Sequence, residues 1–170
     1  MRRRAFLALS ILLIAAPPAL QAQDSDVVVY LVRHAERAED GTNDPPISED
    51  GWARAELLAT LLADAGITQI HSTDYKRTIQ TGTPTAEALS LEIESYDPRD
   101  LPTFAAELSE TPGRHLVLGH SNTTPGLAES LGGDSHGPID EFEYDRLYIV
   151  TISDNRVSTV LLRFGELHTP

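Results

Sequence analysis

The hydrophobic positions of the chain form short runs that predict strands. Residues 27–32 are apolar at every position and rich in β-branched side chains, which is the pattern of a strand buried on both faces. Similar but shorter runs predict strands over 69–72, 93–95 and 114–119. Two last strands, 146–153 and 156–164, flank Asp154 and Asn155, a pair that suits a tight hairpin.

Segments with helical periodicity separate these strands. Residues 48–65 carry apolar side chains every three or four positions behind a capping Ser48, and a second helix is predicted over 74–89. Pro84 lies inside this second segment and predicts that the helix bends or restarts there. Shorter helices are predicted over 103–110 and from about 123 to the glycine pair at 132–133.

The alternation of strands and helices predicts an α/β fold. We expect a single three-layer domain, in which helices flank a mostly parallel central sheet that ends in an antiparallel pair. A chain of 170 residues is long enough to bury one core and too short for two comfortable domains. Residues 34–47 and 96–102 are polar and rich in turn-forming residues, so they predict loops.

The first 22 residues predict a secretory signal peptide. Three arginines at positions 2–4 precede the apolar run 5–16, which is followed by two prolines and small residues. The chain is therefore divided into a signal peptide, 1–22, and a domain, 23–170, exported to the periplasm or outside the cell. The arginines suit both the twin-arginine and the general export route. The apolar run is too short to cross a membrane, so we expect no stable insertion once the signal is removed.

Composition excludes several classes of function. The chain has no cysteine, which rules out disulfides, thiolate metal sites and a cysteine nucleophile. Its net charge of −13 disfavours binding to nucleic acid, which needs clustered Lys and Arg. The histidines lack metal-site spacings such as HExxH, so no metal is expected. Ser121 lacks the glycine two residues later that a serine-hydrolase nucleophile elbow requires.

Charged side chains follow three of the predicted strands directly. Arg33 and His34 end the first strand, Arg77 comes just after the second, and His120 and Asn122 follow the fourth. Ligands in open α/β sheets bind at the carboxyl ends of strands. The segments LVRHAE (31–36), STDYKRTIQT (72–81) and GHSNT (119–123) together resemble the histidine phosphatase superfamily, also called the phosphoglycerate mutase-like family, over roughly residues 27–165.

This resemblance implies a phosphoglycerate mutase-like fold and a role for each motif residue. It makes His34 the nucleophile that accepts the phosphoryl group, Arg33 and Arg77 the residues that hold phosphoryl oxygens, and His120 a further hydrogen-bond donor. Asn122, beside a helix N-terminus, is an additional candidate for phosphate contact. Imidazole is an effective nucleophile, and guanidinium forks match phosphate oxygens, so the residue types suit the chemistry without a cofactor.

The residue that gives a proton to the leaving group is less clearly marked. In the resembled family a Glu or Asp between the arginine helix and the second histidine often supplies it. Asp100 is the preferred candidate here, and Asp97 and Glu36 are the alternatives. Ala35 stands where the family usually has glycine.

The sequence thus predicts a metal-independent histidine phosphatase that acts on a small phosphorylated molecule or a phosphoprotein through a phosphohistidine. One alternative is a non-catalytic module that binds a phosphorylated ligand but lacks an effective acid. A phosphomutase is a second alternative, disfavoured because the chain is close to a minimal core without the insertions that shape a mutase pocket.

Overall fold

The computed structural model describes residues 26–154 and 156–169. The predicted signal peptide, residues 1–22, lies outside the described residues, as does Asn155 of the predicted hairpin turn. The helices and strands, in chain order, are β1 (Val27–Arg33), α1 (Glu49–Leu62), β2 (Gln69–Ser72), α2 (Lys76–Leu89), β3 (Ile93–Ser95), α3 (Leu101–Glu110), β4 (Gly113–Gly119), α4 (Thr123–Ser130), β5 (Arg146–Ser153) and β6 (Arg156–Arg163).

The strands form one mixed sheet in the order β3-β2-β4-β1-β5-β6. The first four strands in this order run parallel, and β5 and β6 pair antiparallel at one end. β1 lies between β4 and β5 and is buried along its whole length, which is why its sequence is apolar without alternation. The predicted α/β architecture is confirmed.

Two hydrophobic cores lie on opposite faces of the sheet, so the domain has three layers. Alternate residues of β1 point to each side, as expected from the period of two in a strand. Val29 and Leu31 pack with side chains of α3 and α4, whereas Tyr30 and Val32 pack with Leu58 and other residues of α1 and α2. Among the described residues, no helix is long and apolar enough to cross a membrane.

The prediction of a bend or a restart near Pro84 fails in its second part, because α2 is one helix from Lys76 to Leu89 and does not restart. Proline removes one backbone hydrogen bond from a helix, but this helix packs closely on the sheet. A Cβ added at Gly82 would lie only 3.1 Å from Cδ2 of Leu118 on β4. Tertiary packing therefore holds the helix together across a residue that would weaken it in isolation.

Helix α3 begins two residues earlier than predicted. Asp100 is its N-cap, and the carboxylate of Asp100 accepts a hydrogen bond of 3.4 Å from the backbone N–H of Thr103. Pro102 falls in the first turn, where a missing N–H costs nothing. The capping role of Asp100 bears on its predicted catalytic role, considered below.

Candidate active site

Three neighbouring parallel strands deliver the predicted site residues to one edge of the sheet. Arg33 at the end of β1 is paired with Gly119 at the end of β4, and the backbone N–H of His34 donates to the Gly119 carbonyl at 2.8 Å. On the other side of β4, β2 ends at Ser72, opposite Leu118. The residues that follow these strands therefore meet at their carboxyl ends.

Gly119 allows helix α4 to start very close to this edge. A Cβ at this position would lie 2.8 Å from Oγ1 of Thr123 and 3.1 Å from the hydroxyl of Tyr96. The same Thr123 hydroxyl accepts a 2.8 Å hydrogen bond from the backbone N–H of His120. The missing side chain thus lets the first turn of α4 fix the backbone of His120.

His34 is held in the tautomer that a nucleophile needs. Its Nδ1 lies 2.8 Å from the carbonyl oxygen of Ala35, which can only accept, so Nδ1 carries the proton and Nε2 keeps its lone pair. Burial, together with the positive charges of Arg33 and Arg77, lowers the pKa of His34 to about 3, although the hydrogen bond to Ala35 acts in the opposite direction. The imidazole is therefore neutral at physiological pH.

Arg33 is anchored through one of its terminal nitrogens. Its Nη1 donates to the carbonyl oxygens of Asp140 at 2.8 Å and Glu143 at 2.9 Å, and the guanidinium lies 4.2 Å from the centre of the Tyr144 ring. Nε of Arg33 is buried and has no hydrogen-bond partner among the described residues. The edge formed by Nε and Nη2 is the fork that binds two oxygens of an oxyanion.

Arg77 lies in the first turn of α2 and reaches the same place. Its guanidinium stacks on the ring of Tyr75 at 4.5 Å, and its Nη1 lies 3.6 Å from a carboxylate oxygen of Asp44. Its Nη2 is 3.5 Å from Nδ1 of His120. Two arginines therefore flank the neutral His34, one from β1 and one from α2.

His120 is joined to two buried threonine hydroxyls. Its Nε2 is 2.9 Å from Oγ1 of Thr73, which is 2.9 Å from Oγ1 of Thr78. The Thr78 hydroxyl also contacts backbone carbonyls, to which it must donate. Thr73 therefore donates its one proton to Thr78 and accepts from His120 Nε2–H, which leaves Nδ1 of the neutral ring as an acceptor facing Nη2 of Arg77. Burial, followed by the charges of Arg77 and Arg33, lowers the pKa of His120 to about 4.

These side chains line one open cavity of about 620 Å³. The structure brings together His34, the predicted nucleophile, and the residues predicted to bind phosphate, which are Arg33, Arg77, His120 and Asn122. Asn122 occupies the N-cap position of α4 but makes no side-chain capping hydrogen bond, so its amide is available to the cavity. The remaining lining residues are Arg37, Tyr75, Pro98, Arg99, Ser121, Thr123, Ile139 and Glu141.

The structure does not bring the three predicted proton donors into this cavity. Asp100 caps α3 and lines a neighbouring cavity instead. Asp97 is paired with Arg99 at 2.9 Å and lines that same neighbouring cavity. Glu36 is bound to the buried guanidinium of Arg54, with contacts of 2.7–3.0 Å. Each carboxylate therefore already has a structural partner away from His34.

Sequence reasoning missed the segment 140–145, which closes the cavity from the side of β5. Because β5 runs antiparallel to β1, its first residue lies near the last residues of β1. Residues directly before β5 therefore belong to the same edge as His34. The predicted antiparallel end of the sheet, combined with the charged run DEFEYD at 140–145, was the signal that could have found them.

Buried ion pairs hold this segment in place. The carboxylate of Glu143 accepts from Arg146 at 2.6 Å and from Arg163 at 2.9 Å, and Arg163 also donates to Asp145 at 2.6 Å. Burial alone would raise the pKa of Glu143, but these hydrogen bonds lower it to about 2. The carbonyls that anchor Arg33 are thus fixed by a charged network of their own. In the part of the chain that the structure describes, no group of three or more His, Asp or Glu side chains is arranged to hold a metal ion.

Comparison with protein families relates these motifs to known proteins. Residues 29–98 match the model of the histidine phosphatase superfamily (branch 1). A "probable phosphoglycerate mutase GpmB" of Yersinia pestis is 42% identical over 77 residues, which are 42% of this chain. The matched region is only 35% of the length of that curated relative.

Solved structures share the fold over most of the chain. The protein histidine phosphatase SixA complexed with tungstate has a TM-score of 0.66 at 20% identity and covers 80% of this chain and 96% of its own. The α-ribazole phosphatase of Shigella flexneri has a TM-score of 0.67 at 14% identity, and the match covers 85% of this chain and 100% of that protein. A SixA protein of Agrobacterium tumefaciens is 25% identical with a TM-score of 0.56, and the match covers 74% of this chain and 92% of that protein.

The region matched by sequence contains several residues of the cavity. The matched residues 29–98 include Arg33, His34 and Arg77. This part of the chain is similar to the histidine phosphatase superfamily, and most of the chain shares its fold with the solved structures named above.

Proposed function

We propose that the protein is a metal-independent phosphatase that hydrolyses a phosphomonoester or a phosphoprotein through a phosphohistidine on His34. The observation that carries the proposal is the state of His34: neutral, with Nε2 unprotonated, between two arginines in an open cavity. The match of residues 29–98 to the histidine phosphatase superfamily and the phosphatases among the structural neighbours support phosphatase activity in general.

In the first step, Nε2 of His34 attacks phosphorus, and the bond from phosphorus to the leaving group breaks with its electron pair. Negative charge is then spread over three phosphoryl oxygens, which preorganised donors stabilise. The Nε and Nη2 edge of Arg33 supplies one pair of donors, and Arg77 supplies another. The carbonyl of Ala35 stabilises the positive charge that develops on the His34 ring.

In the second step, water attacks the phosphohistidine, the nitrogen–phosphorus bond breaks, and His34 regains its lone pair. His120 can donate from Nδ1 to a phosphoryl oxygen once Thr73 gives up its donation to Thr78 and donates to Nε2 instead. The ring can thus change tautomer on binding phosphate without leaving its place.

Two substrate classes fit this cavity. Neighbours named as protein histidine phosphatases support a phosphoprotein, and a neighbour named as an α-ribazole phosphatase supports a small phosphate ester. The open mouth, lined by exposed side chains such as Arg99, admits either. A mutase would need to hand the phosphoryl group to a second bound molecule instead of water.

The test is to incubate the purified protein with p-nitrophenyl phosphate and a panel of phosphate esters, and with a phosphohistidine-bearing protein, each with and without EDTA. We expect turnover that EDTA does not change, and none by His34→Asn. Rapid acid-free quenching followed by intact mass measurement should show the native protein heavier by one phosphoryl group, and His34→Asn unmodified.

The outcomes separate the alternatives. Binding of phosphate without turnover of any substrate would identify a non-catalytic module. Transfer of the phosphoryl group to an added acceptor in preference to water would identify a mutase. Loss of turnover with EDTA would overturn the metal-free mechanism, and equal turnover by His34→Asn would overturn the phosphohistidine.

The proposal also places this reaction outside the cytoplasm, on the pattern of residues 1–22. Fractionation of cells that express the full chain should recover a protein shortened by about the length of this segment from the exported fraction. Recovery of the uncut chain from the cytoplasm would overturn this part of the proposal.

A further inference from the structure

A tight turn at residues 140–143 is fixed on the guanidinium of Arg33. The turn closes with a 3.1 Å hydrogen bond from the backbone N–H of Glu143 to the carbonyl of Asp140. The Asp140 carboxylate accepts from the backbone N–H of Phe142 at 3.2 Å. Both ends of the turn present their carbonyls to Nη1 of Arg33. The tip of the turn therefore has a defined position relative to the residue that holds phosphate.

Glu141 lies at this tip and lines the cavity. It is the one carboxylate among the lining residues in the described part of the chain, beside four arginines and two histidines. One carboxylate oxygen of Glu141 is 3.2 Å from Nη2 of Arg37, and both side chains are more than half exposed, at 65% and 51%. Glu141 thus lies at the mouth of the cavity, where a leaving group could reach it.

We propose that Glu141 is the proton donor to the leaving group. The inference rests on the proposed phosphatase function and names the residue that the sequence left open. In the first step, the carboxyl proton of Glu141 passes to the leaving oxygen as its bond to phosphorus breaks. In the second step, the resulting carboxylate takes a proton from the attacking water, which returns Glu141 to its acid form and releases phosphate.

The cationic residues that line the cavity with Glu141 are Arg33, Arg37, Arg77 and Arg99, and Arg37 is the one in contact with its carboxylate. These cations can bind the phosphoryl oxygens, whereas Glu141 offers a carboxyl group that can give a proton to the leaving oxygen.

The experiment compares native protein with Glu141→Gln on aryl phosphates whose leaving phenols span a range of acidity. A poor leaving group such as phenol needs a proton in the transition state, whereas 2,4-dinitrophenol leaves as its anion. We expect kcat/KM for phenyl phosphate to fall about 100-fold or more in Glu141→Gln. For 2,4-dinitrophenyl phosphate we expect a change of less than about threefold.

Two control variants show whether the loss of activity in Glu141→Gln is due to the loss of an ionisable proton. Asp97→Asn removes a carboxylate outside this cavity and should match the native protein on both substrates. Glu141→Asp keeps an ionisable group and should recover part of the phenyl phosphate activity. If Glu141 had only a structural role, Glu141→Gln would lower kcat/KM equally for both substrates. An equal loss of kcat/KM on both, or no loss on phenyl phosphate, would therefore overturn the proposal. If the native protein turned over neither ester, the phosphatase function itself would fail, which is a separate result.

Discussion

Residues of the loop that joins β3 to α3 line two cavities, and each cavity contains a pair of buried or half-buried histidines. In the first cavity, the rings of His34 and His120 meet edge to face at 5.4 Å. In the second, a cavity of about 420 Å³, the rings of His71 and His115 are stacked at 5.5 Å. Burial is the main cause that lowers the pKa of all four rings, to about 4 for both His71 and His120.

The cavities differ in the charge around these histidines. Arginines line the first, whereas the second is lined by Glu94, Asp97, Asp100 and Glu107 with no Lys or Arg among its described lining residues. The second pair also bonds within itself, since Nε2 of His71 is 3.2 Å from Nδ1 of His115. A buried neutral histidine therefore does not by itself identify a phosphate site. What distinguishes the phosphate site is the set of arginines that can compensate the charge of the phosphoryl oxygens.

The largest difference between the cavities should appear on replacing one histidine from each. His34→Asn removes the nucleophile, and we expect turnover of p-nitrophenyl phosphate to fall by at least about 10⁴-fold. His71→Asn should stay within about threefold of native kcat, although it loses a buried hydrogen bond and some stability. Steady-state kinetics on both folded variants check this, and a comparable loss in His71→Asn would contradict the division of roles.

The next difference concerns the two kinds of arginine in the first cavity. Lysine cannot reproduce the fork of Arg33 or its two bonds to carbonyls, so Arg33→Lys should lower kcat/KM by roughly 10²- to 10³-fold. Arg99 is exposed and already paired with Asp97, so Arg99→Lys is the matched control and should change kcat/KM by less than about threefold. Equal effects of the two substitutions would show that only net charge matters.

The histidine pairs should also make the folded state sensitive to acid. An unfolded chain binds protons on histidine near pH 6.5, but folded His71 does so only near its pKa of about 4. Stability is therefore full above about pH 6.5 and falls as the pH drops towards 4, by up to about 1.4 kcal/mol per pH unit for each such ring. Urea unfolding across this range should show a shallower slope for His71→Asn than for the native protein.

The smallest expected effect belongs to Asp100, which lies in the second cavity. Asp100→Ala removes the cap of α3 and should lower stability by about 1 kcal/mol, whereas Asp100→Asn keeps the cap. Neither should change the pH profile of turnover or reduce kcat more than about twofold. A shifted basic limb in Asp100→Asn would instead restore Asp100 as the proton donor.

The parts of this site that follow a strand directly could be predicted from the sequence. Arg33, His34 and His120 end apolar runs, and Arg77 follows another within a few residues. Parallel pairing then brings them together without any knowledge of loop shape. The hydrophobic pattern also predicted all six strands, including β3 and β6, whose residues are half-buried or exposed.

The rest depends on contacts between distant residues that no local pattern reveals. Arg33 and the carbonyl of Glu143 are 110 positions apart. In the sequence, Glu36 is a candidate acid. The structure pairs it with Arg54, on the buried face of α1, and so removes it from the candidates. Helix α2 continues past Pro84 because of the sheet beneath it. In each case the deciding interaction comes from tertiary packing.

The anchoring of Arg33 has a consequence for the entropy of phosphate binding. A free arginine side chain loses about 2 kcal/mol of rotamer entropy when it is immobilised. Arg33 has already lost this freedom on folding, because its Nη1 is held by two carbonyls and its plane lies on Tyr144. Phosphate therefore meets a donor pair that is ordered in advance, and binding has to restrict only the ligand and the mobile side chains at the mouth.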